Sequence, residues 1–196
     1  MTNWKTIAGI AGMIMAVAGA SRADDHAAHK APGSELDTAA SAGGTVVLRD
    51  QGGKTVGTLK LTAGASGVAM TGNFANLPPG PHGFHIHEKG VCTGDFTSAG
   101  GHFNPGKSKH GILSDAGHHA GDLPNIDAPA SGAVNIDLFL TGVALNSAGP
   151  DGLFDQDGSS FVVHAGPDDY KSDPSGNSGG RIACGVLEAI KPSAQN

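Results

Sequence analysis

The chain has 196 residues, of which 32 are glycine, while charged residues make up only 15% and aromatic residues 5%. Glycine at this density, without a period of three, excludes a coiled coil, a helical bundle and a collagen-like chain, and it favours an all-β domain with many tight turns. Twelve basic against 18 acidic side chains give a net charge of −6, which argues against a nucleic-acid partner or an anionic membrane surface.

The N-terminus predicts a secretory signal peptide over residues 1–23. One basic side chain, Lys5, precedes the apolar run Ile7–Ala18, and the small residues Ser21 and Ala23 suit cleavage after Ala23. The alternative is a retained membrane anchor, which needs a longer run of about 20 apolar residues. Cleavage would remove two of the 12 basic side chains and none of the 18 acidic ones, so the net charge would fall from −6 to −8. We therefore expect an exported protein without a membrane segment after cleavage.

Residues 24–43 are rich in alanine, serine, glycine and charge, and no apolar period runs through them. This composition predicts a flexible leader. The leader contains His26 and His29, which either capture metal ions weakly or have no role. Residues 44–196 are the predicted folded domain.

Short alternating apolar runs recur along this domain, separated by turns of Gly, Pro and Asp, and they predict a β-sandwich or barrel. The predicted strands are Thr45–Leu48, Val56–Leu61, Val68–Phe74, Phe84–His87, Val134–Leu140, Phe161–His164 and Ile182–Val186. Two long segments, Glu88–Asn125 and Gly166–Gly180, do not follow the strand pattern. Irregular loops of this length in a compact domain are typical of functional segments.

The two cysteines, Cys92 and Cys184, predict a disulfide because an exported protein folds in an oxidising compartment. The bond would close a loop of about 93 residues, for which chain entropy gives roughly 4–5 kcal/mol of stabilisation. Two unpaired thiols are the alternative.

Histidine is the unusual residue, with ten copies against a single tyrosine and a single tryptophan. His85 and His87 flank Ile86 in a predicted strand, so both imidazoles face one side and are close enough to chelate one ion. The end of another strand would add His164 to this pair. Such a His-x-His pair by itself is weak evidence for a metal.

A second group of candidate ligands lies in the first long loop. Its members are His102, His110, His119 and Asp122. Three nitrogens and one carboxylate oxygen suit a closed tetrahedral zinc site, whereas the alternative is a set of solvated loop side chains. The imidazole-rich first group favours copper. Because copper changes valence and zinc does not, the first site would be the redox centre and the second one structural.

Several motifs, in order along the chain, resemble those of copper/zinc superoxide dismutase. They are Gly83–Glu88 (GFHIHE), Gly101–Pro105 (GHFNP), His119–Leu123 (HAGDL) and Gly179–Gly185 (GGRIACG). The segment Cys92–Gly101 resembles the exported bacterial, periplasmic branch of that family. The resemblance covers about Thr45–Val186, nearly the whole predicted domain.

This resemblance implies an all-β Greek-key barrel or sandwich of about eight antiparallel strands with two long functional loops. It also implies one copper and one zinc per chain. The implied activity converts superoxide to dioxygen and hydrogen peroxide by alternating reduction and reoxidation of copper, which would protect the periplasm. The implied copper ligands are His85, His87, His102 and His164, and the implied zinc ligands are His102, His110, His119 and Asp122.

The resemblance assigns roles to further residues. His102 would bridge the two ions and act with Arg181 in catalysis, and Asp168 would accept hydrogen bonds from one ligand of each metal. Neither His82 nor His118 matches a ligand position. Assembly as a homodimer is implied, with a monomer as the alternative.

An acidic protein needs a local positive region to attract superoxide, an anion. Beside Arg181, the candidate steering charges are Lys89, Lys107, Lys109 and Lys171. Two rival interpretations are a copper carrier and an adhesive β-sandwich. A carrier would have lost a copper ligand or Arg181, and an adhesive domain has no need for two ligand sets; neither description fits this sequence.

Overall fold

The computed structural model of the protein describes residues 43–145 and 149–190. The strands are β1 (Gly43–Asp50), β2 (Thr55–Gly64), β3 (Gly67–Phe74), β4 (Gly80–His82), β5 (Phe84–His87), β6 (Ile126–Ala128), β7 (Val134–Leu140), β8 (Ser160–His164) and β9 (Arg181–Ala189). One short 3₁₀ helix spans Thr97–Ala99. Within the described ranges, no helix is long and apolar enough to cross a membrane. The predicted signal peptide and all of the leader except Gly43 lie outside the described residues.

Seven strands form one sheet in the order β5-β8-β9-β1-β2-β3-β7, and β4 pairs with β6 in a second, two-stranded sheet. All pairings between these strands are antiparallel. The chain crosses from β3 on one side of the sheet to β5 at the far edge, then returns to place β7 beside β3, which is a Greek-key connection. The predicted all-β Greek-key class is confirmed.

The core lies on one face of the large sheet because buried apolar side chains alternate with exposed ones along strands such as β1 and β2. In β1, Val46 and Leu48 are buried, and in β2, Leu59 and Leu61 are buried between exposed polar neighbours. Each such side chain contributes roughly 1.5–3 kcal/mol when it is fully buried. Ile86 of β5 belongs to the same core cluster, so the core fixes the strand that carries the first histidine pair.

The two long loops begin where strands end. Residues 88–125 leave β5 directly after His87, and residues 166–180 connect β8, which ends at His164, to β9. The predicted disulfide Cys92–Cys184 is present and ties the start of the first loop to β9. Each loop therefore begins beside a histidine at the end of a strand, His87 or His164, and the second loop leads to Arg181 at the start of β9.

Candidate metal centre

The first long loop folds back along the free edge of β5 and brings its histidines to the strand. Ile86 N donates to Gly121 O over 2.9 Å, and Phe103 N donates to Ile86 O over 2.8 Å. Bridge pairings then set His87 opposite His102, and His85 opposite Asp122. A side chain at Gly121 would collide with the Ile86 carbonyl, so this close approach requires glycine.

Four buried histidines form the first donor cluster. The cluster consists of His85, His87, His102 and His164, and one nitrogen of each ring lies within 4.8 Å of the corresponding nitrogens of the others. In β8, the pairing register with β9 shifts between Val163 and His164, and such an irregularity can redirect a side chain beside a site. The sequence prediction grouped these same four side chains, and the structure brings them together.

The four rings each keep one nitrogen without a hydrogen-bond partner. These buried atoms are His85 Nδ1, His87 Nε2, His102 Nε2 and His164 Nε2. A buried polar atom without a partner carries a desolvation cost, and a set of imidazole lone pairs relieves that cost by binding a cation. The donor set fits copper, because imidazole nitrogens bind copper well and Cu²⁺ has the highest affinity of the divalent first-row metals for such ligands.

Hydrogen bonds to the opposite nitrogens leave these atoms free. His87 Nδ1 lies 3.1 Å from Gly100 O, and His164 Nδ1 lies 3.2 Å from Gly179 O. A carbonyl oxygen only accepts, so each Nδ1 carries the proton and each Nε2 keeps its lone pair. Two backbone carbonyls of the loops therefore select the tautomer of two candidate copper ligands.

The second donor cluster consists of His102, His110, His119 and Asp122. The Nδ1 atoms of the three histidines lie 2.9, 3.0 and 3.2 Å from Asp122 Oδ1. His119 Nδ1 lies 3.3 Å from His102 Nδ1. Ligands about 2.0 Å from the centre of a regular tetrahedron are separated by about 3.3 Å. The donor spacing and the three-nitrogen, one-oxygen chemistry both fit zinc.

His102 belongs to both clusters and uses a different nitrogen in each. Its Nδ1 lies 2.9 Å from Asp122 Oδ1, while its Nε2 is one of the partnerless atoms of the first cluster. This ring joins the two clusters, as a bridging imidazole would.

Asp168 is buried between the clusters. Its Oδ2 lies 2.8 Å from His85 Nε2, and its Oδ1 lies 3.0 Å from His110 Nε2. As a carboxylate, Asp168 accepts a hydrogen bond from the Nε2–H of each ring, which leaves the Nδ1 of each ring free to bind a metal. One carboxylate thereby orients a ligand in each cluster.

Burial holds three of the candidate copper ligands, His87, His102 and His164, in their neutral form. Desolvation, together with neighbouring histidines, lowers the pKa of His87 to about 2, that of His164 to about 3 and that of His102 to about 4. For Asp122, burial alone would raise the pKa, but hydrogen bonds from His102 and His119 outweigh it and lower the pKa. Neutral imidazole and ionised carboxylate are the forms that bind metal ions.

A cavity of about 490 Å³ opens onto both clusters and is lined by His87, His102, His164 and Arg181, among others. The guanidinium of Arg181 donates to the Phe96 carbonyl and, over 2.6 Å, to the Gly100 carbonyl. These contacts fix a positive charge at the cavity wall.

The described lining contains one other charged side chain besides the histidines and Arg181, the acid Glu88. None of the four predicted steering lysines lies in that lining, and Lys109 is paired with Asp173 at 3.1 Å. The steering role of the lysines stays a prediction.

Four histidines have no predicted ligand role, and the two of them that the structure describes, His82 and His118, lie outside both clusters. His118 is exposed, and its Nδ1 lies 2.7 Å from the His119 carbonyl. His82 is buried, and its ring nitrogens lie 2.8 Å from the carbonyls of Pro78 and His164. His26 and His29 lie outside the described residues.

Sequence reasoning missed several supporting groups. The carbonyls of Gly100 and Gly179 orient ligands, but a glycine in the sequence gives no sign of where its carbonyl points. Asn125, whose side chain bonds the Asp168 backbone, follows Asp122 by three residues. Tyr170, the only tyrosine in the chain, lies two residues after Asp168.

A Greek-key β-sheet with two buried donor clusters that share one imidazole defines a dinuclear metalloprotein of the copper/zinc type. The copper/zinc superoxide dismutase (SODC) sequence profile matches residues 55–187. The chain belongs to the copper/zinc superoxide dismutase family.

Individual relatives agree with this placement. Over 141 residues, the chain is 48% identical to superoxide dismutase [Cu-Zn] 1 of Aquifex aeolicus, covering 71% of this chain and 83% of the relative. It is 44% identical to superoxide dismutase [Cu-Zn] of Caulobacter vibrioides, covering 74% and 84%. A crystal structure of a SOD-like protein from Bacillus subtilis superposes with a TM-score of 0.71 at 41% identity, covering 74% of this chain and 97% of that one.

Proposed function

We propose that the protein is a periplasmic superoxide dismutase that converts superoxide to dioxygen and hydrogen peroxide and so protects the periplasm. The observation that carries this proposal is the four partnerless imidazole nitrogens beside a cavity with a fixed guanidinium. Bound among them, copper supplies the one-electron chemistry by which two superoxide ions and two protons become one dioxygen and one hydrogen peroxide.

His102 has the geometry of a proton relay. Its Nε2 faces the first cluster without a hydrogen-bond partner, while its Nδ1 is directed to Asp122. The ring can therefore take up a proton at Nε2 and give it back without losing its anchor on the Asp122 side. A proton held at that atom lies next to the candidate copper position, where peroxide formation consumes it.

Arg181 attracts and orients the substrate. Its guanidinium donates hydrogen bonds to the carbonyls of Phe96 and Gly100, so the positive charge is in place before the anion arrives. A preorganised cation needs no rearrangement during the reaction. It also provides local attraction in a chain whose net charge is −6.

The second cluster has a structural role in this proposal. Zinc at His102, His110, His119 and Asp122 would hold the first long loop closed, and this tetrahedral set leaves no open position. The same ion would keep His102 directed towards the copper side.

The location is inferred from the N-terminal sequence. A signal peptide over residues 1–23, cleaved after about Ala23, would deliver the chain to the periplasm. The disulfide Cys92–Cys184 is consistent with an oxidising compartment. N-terminal sequencing of the protein from a periplasmic extract should begin at Asp24, whereas an intact Met1 would contradict export by cleavage.

We propose assembly as a homodimer, with a monomer as the alternative. A measurement of the molecular mass in solution distinguishes the two.

The decisive assay compares protein loaded with copper and zinc with protein loaded with zinc alone. We expect rapid superoxide decay only in the first sample, with one hydrogen peroxide formed for every two superoxide ions consumed. Full loading with both metals and no acceleration of decay would overturn the enzymatic proposal and favour a copper carrier.

A further inference from the structure

The two long loops meet at a contact between Tyr170 and Asn125. The backbone N–H of Asn125 donates to the phenol oxygen of Tyr170 over 2.7 Å. The backbone N–H of Leu113 donates to the Tyr170 carbonyl over 3.1 Å. One residue of the 166–180 loop therefore accepts hydrogen bonds from two separate points of the loop that carries the candidate zinc ligands.

The same two residues also hold Asp168. The Asn125 side chain donates to the Asp168 carbonyl and accepts from the Asp168 N–H, both over 2.9 Å. The Tyr170 N–H donates to Asp168 Oδ1 over 2.6 Å, the oxygen that faces His110 Nε2. Tyr170, Asn125 and Asp168 thus form a closed ring of hydrogen bonds whose carboxylate orients a candidate zinc ligand.

Tyr170 holds this position in a strained backbone conformation. Its φ is +62°, in the left-handed region, where an aromatic residue costs about 1 kcal/mol or more relative to glycine. Glycine would adopt this φ without strain but has no phenol to reach Asn125. The phenol is therefore what tyrosine provides at this position and glycine could not.

Close packing continues from Tyr170 to the ligand Asp122. A side chain at Gly111, whose φ is +108°, would collide with the Tyr170 carbonyl. The Gly111 N–H donates to Asp122 Oδ2 over 2.9 Å. The position of the Tyr170 backbone is thereby linked to the carboxylate of the second cluster as well as to His110.

We propose that Tyr170 is a positioning residue whose phenol fastens the Asp168 loop to the zinc-ligand loop and slows zinc release. This inference rests on the zinc ligands of the proposed function. Since zinc would hold the same loop that the phenol holds, the two are coupled, and by reciprocity zinc should strengthen the Tyr170–Asn125 bond.

The test uses Tyr170→Phe, which keeps the ring and the backbone and removes only the hydroxyl. Zinc release from the fully metal-loaded protein is followed after addition of excess chelator. We expect release about two- to tenfold faster than in the wild type, the range that corresponds to loss of one neutral hydrogen bond. Ser114→Ala is the matched control, because it removes a hydroxyl from the zinc-ligand loop that makes no bridge to the other loop; its release rate should be unchanged.

Amide hydrogen exchange separates a positioning role from general loosening. In Tyr170→Phe, exchange should accelerate at the Asn125 amide, while the amides of β1 and β2 keep their wild-type rates. In the wild type, removal of zinc should likewise accelerate exchange at Asn125, and this measurement does not depend on how well the variant folds. An Asn125 amide that exchanges equally fast with and without zinc would overturn the coupling.

The outcomes distinguish this inference from the proposed function. Wild-type protein that binds no zinc would overturn the ligand assignment and the inference with it. Wild-type protein that holds zinc, beside a Tyr170→Phe variant that releases it at the same rate, would overturn only the role of Tyr170.

Discussion

His85 Nε2 and Asp168 Oδ2 lie 2.8 Å apart, and neither side chain is exposed to solvent. The other oxygen of the same carboxylate lies 3.0 Å from His110 Nε2. A buried carboxylate with two imidazole N–H donors fixes which nitrogen of each ring is free. The readiness of both donor clusters to bind metal therefore depends on Asp168, a residue that belongs to neither set of four.

Asp168→Asn should weaken metal binding. An amide offers one acceptor and one donor group where the carboxylate offers two acceptors, so one of the two histidines must change tautomer and lose its free Nδ1. We expect a 10- to 100-fold loss of affinity at one site at least, the usual range for such supporting groups. Competition titrations with chelators, performed for copper and zinc separately, measure it. Asp115→Asn makes the same charge change at an exposed position, and this variant should bind both metals normally. Equal metal affinities in the Asp168→Asn and Asp115→Asn variants would contradict the role of Asp168 in orienting the ligands.

His164→Ala should abolish superoxide removal while zinc stays bound, because His164 belongs to the first donor cluster and not to the second. Metal content of the purified variant and the decay rate of superoxide are the two measurements. His118→Ala alters an exposed histidine outside both clusters and should retain both metals and activity. Loss of zinc with retention of copper in His164→Ala would show that the ligands are divided wrongly.

Arg181→Lys should lower the rate of superoxide removal although it keeps the charge. A lysine ammonium cannot reproduce the pair of hydrogen bonds that the planar guanidinium donates to the carbonyls of Phe96 and Gly100. The lysine charge is therefore held less firmly at the cavity wall. Arg181→Gln should be slower still and should flatten the decrease of the rate with ionic strength, because steering by charge is screened by salt. Arg49→Gln removes an exposed arginine on β1 as the control. Equal salt dependence in Arg181→Gln and the wild type would exclude steering by this residue.

The metal-free protein should lose stability in acid. Burial lowers the pKa of His87 to about 2 and that of His164 to about 3 from an ordinary 6.5. Below about pH 6.5 the unfolded chain therefore binds protons that the folded chain does not, and the free energy of unfolding falls as the pH falls. Each histidine contributes at most about 1.4 kcal/mol per pH unit.

Urea unfolding of chelator-treated protein at about pH 7.5 and about pH 5 checks this dependence. His87→Gln should show a shallower slope, since one of the titrating groups is gone. Stability that is flat or rises towards acid pH would contradict the burial of neutral imidazoles.

Much of this architecture follows from local sequence patterns. The seven predicted strands match seven of the nine observed, because each is an apolar or alternating run of at least four residues between turn residues. The missed strands, Gly80–His82 and Ile126–Ala128, have three residues each, too few to establish a period, and one contains Pro81. The two long loops were predicted as the segments that break the strand pattern.

The site was predictable in its residues but not in its supporting contacts. Spacing places His85 and His87 on one face, and the clustering of His102, His110, His119 and Asp122 in one loop predicts the second set. The resemblance adds His102 to the first set. The carbonyl of Gly100 accepts hydrogen bonds from both His87 and Arg181. Its direction depends on how the loop folds in three dimensions. The Tyr170–Asn125 contact joins residues 45 positions apart, and no local pattern reports such a pairing.

The most direct measurement of the central claim is a titration of copper into zinc-loaded protein, with superoxide decay followed at each addition. Activity should rise in proportion to copper and stop at one copper per chain, because the structure offers one cluster of four partnerless imidazole nitrogens among its described residues. Full occupancy by copper without activity, or activity that continues to rise to a second equivalent, would contradict a single redox centre at His85, His87, His102 and His164.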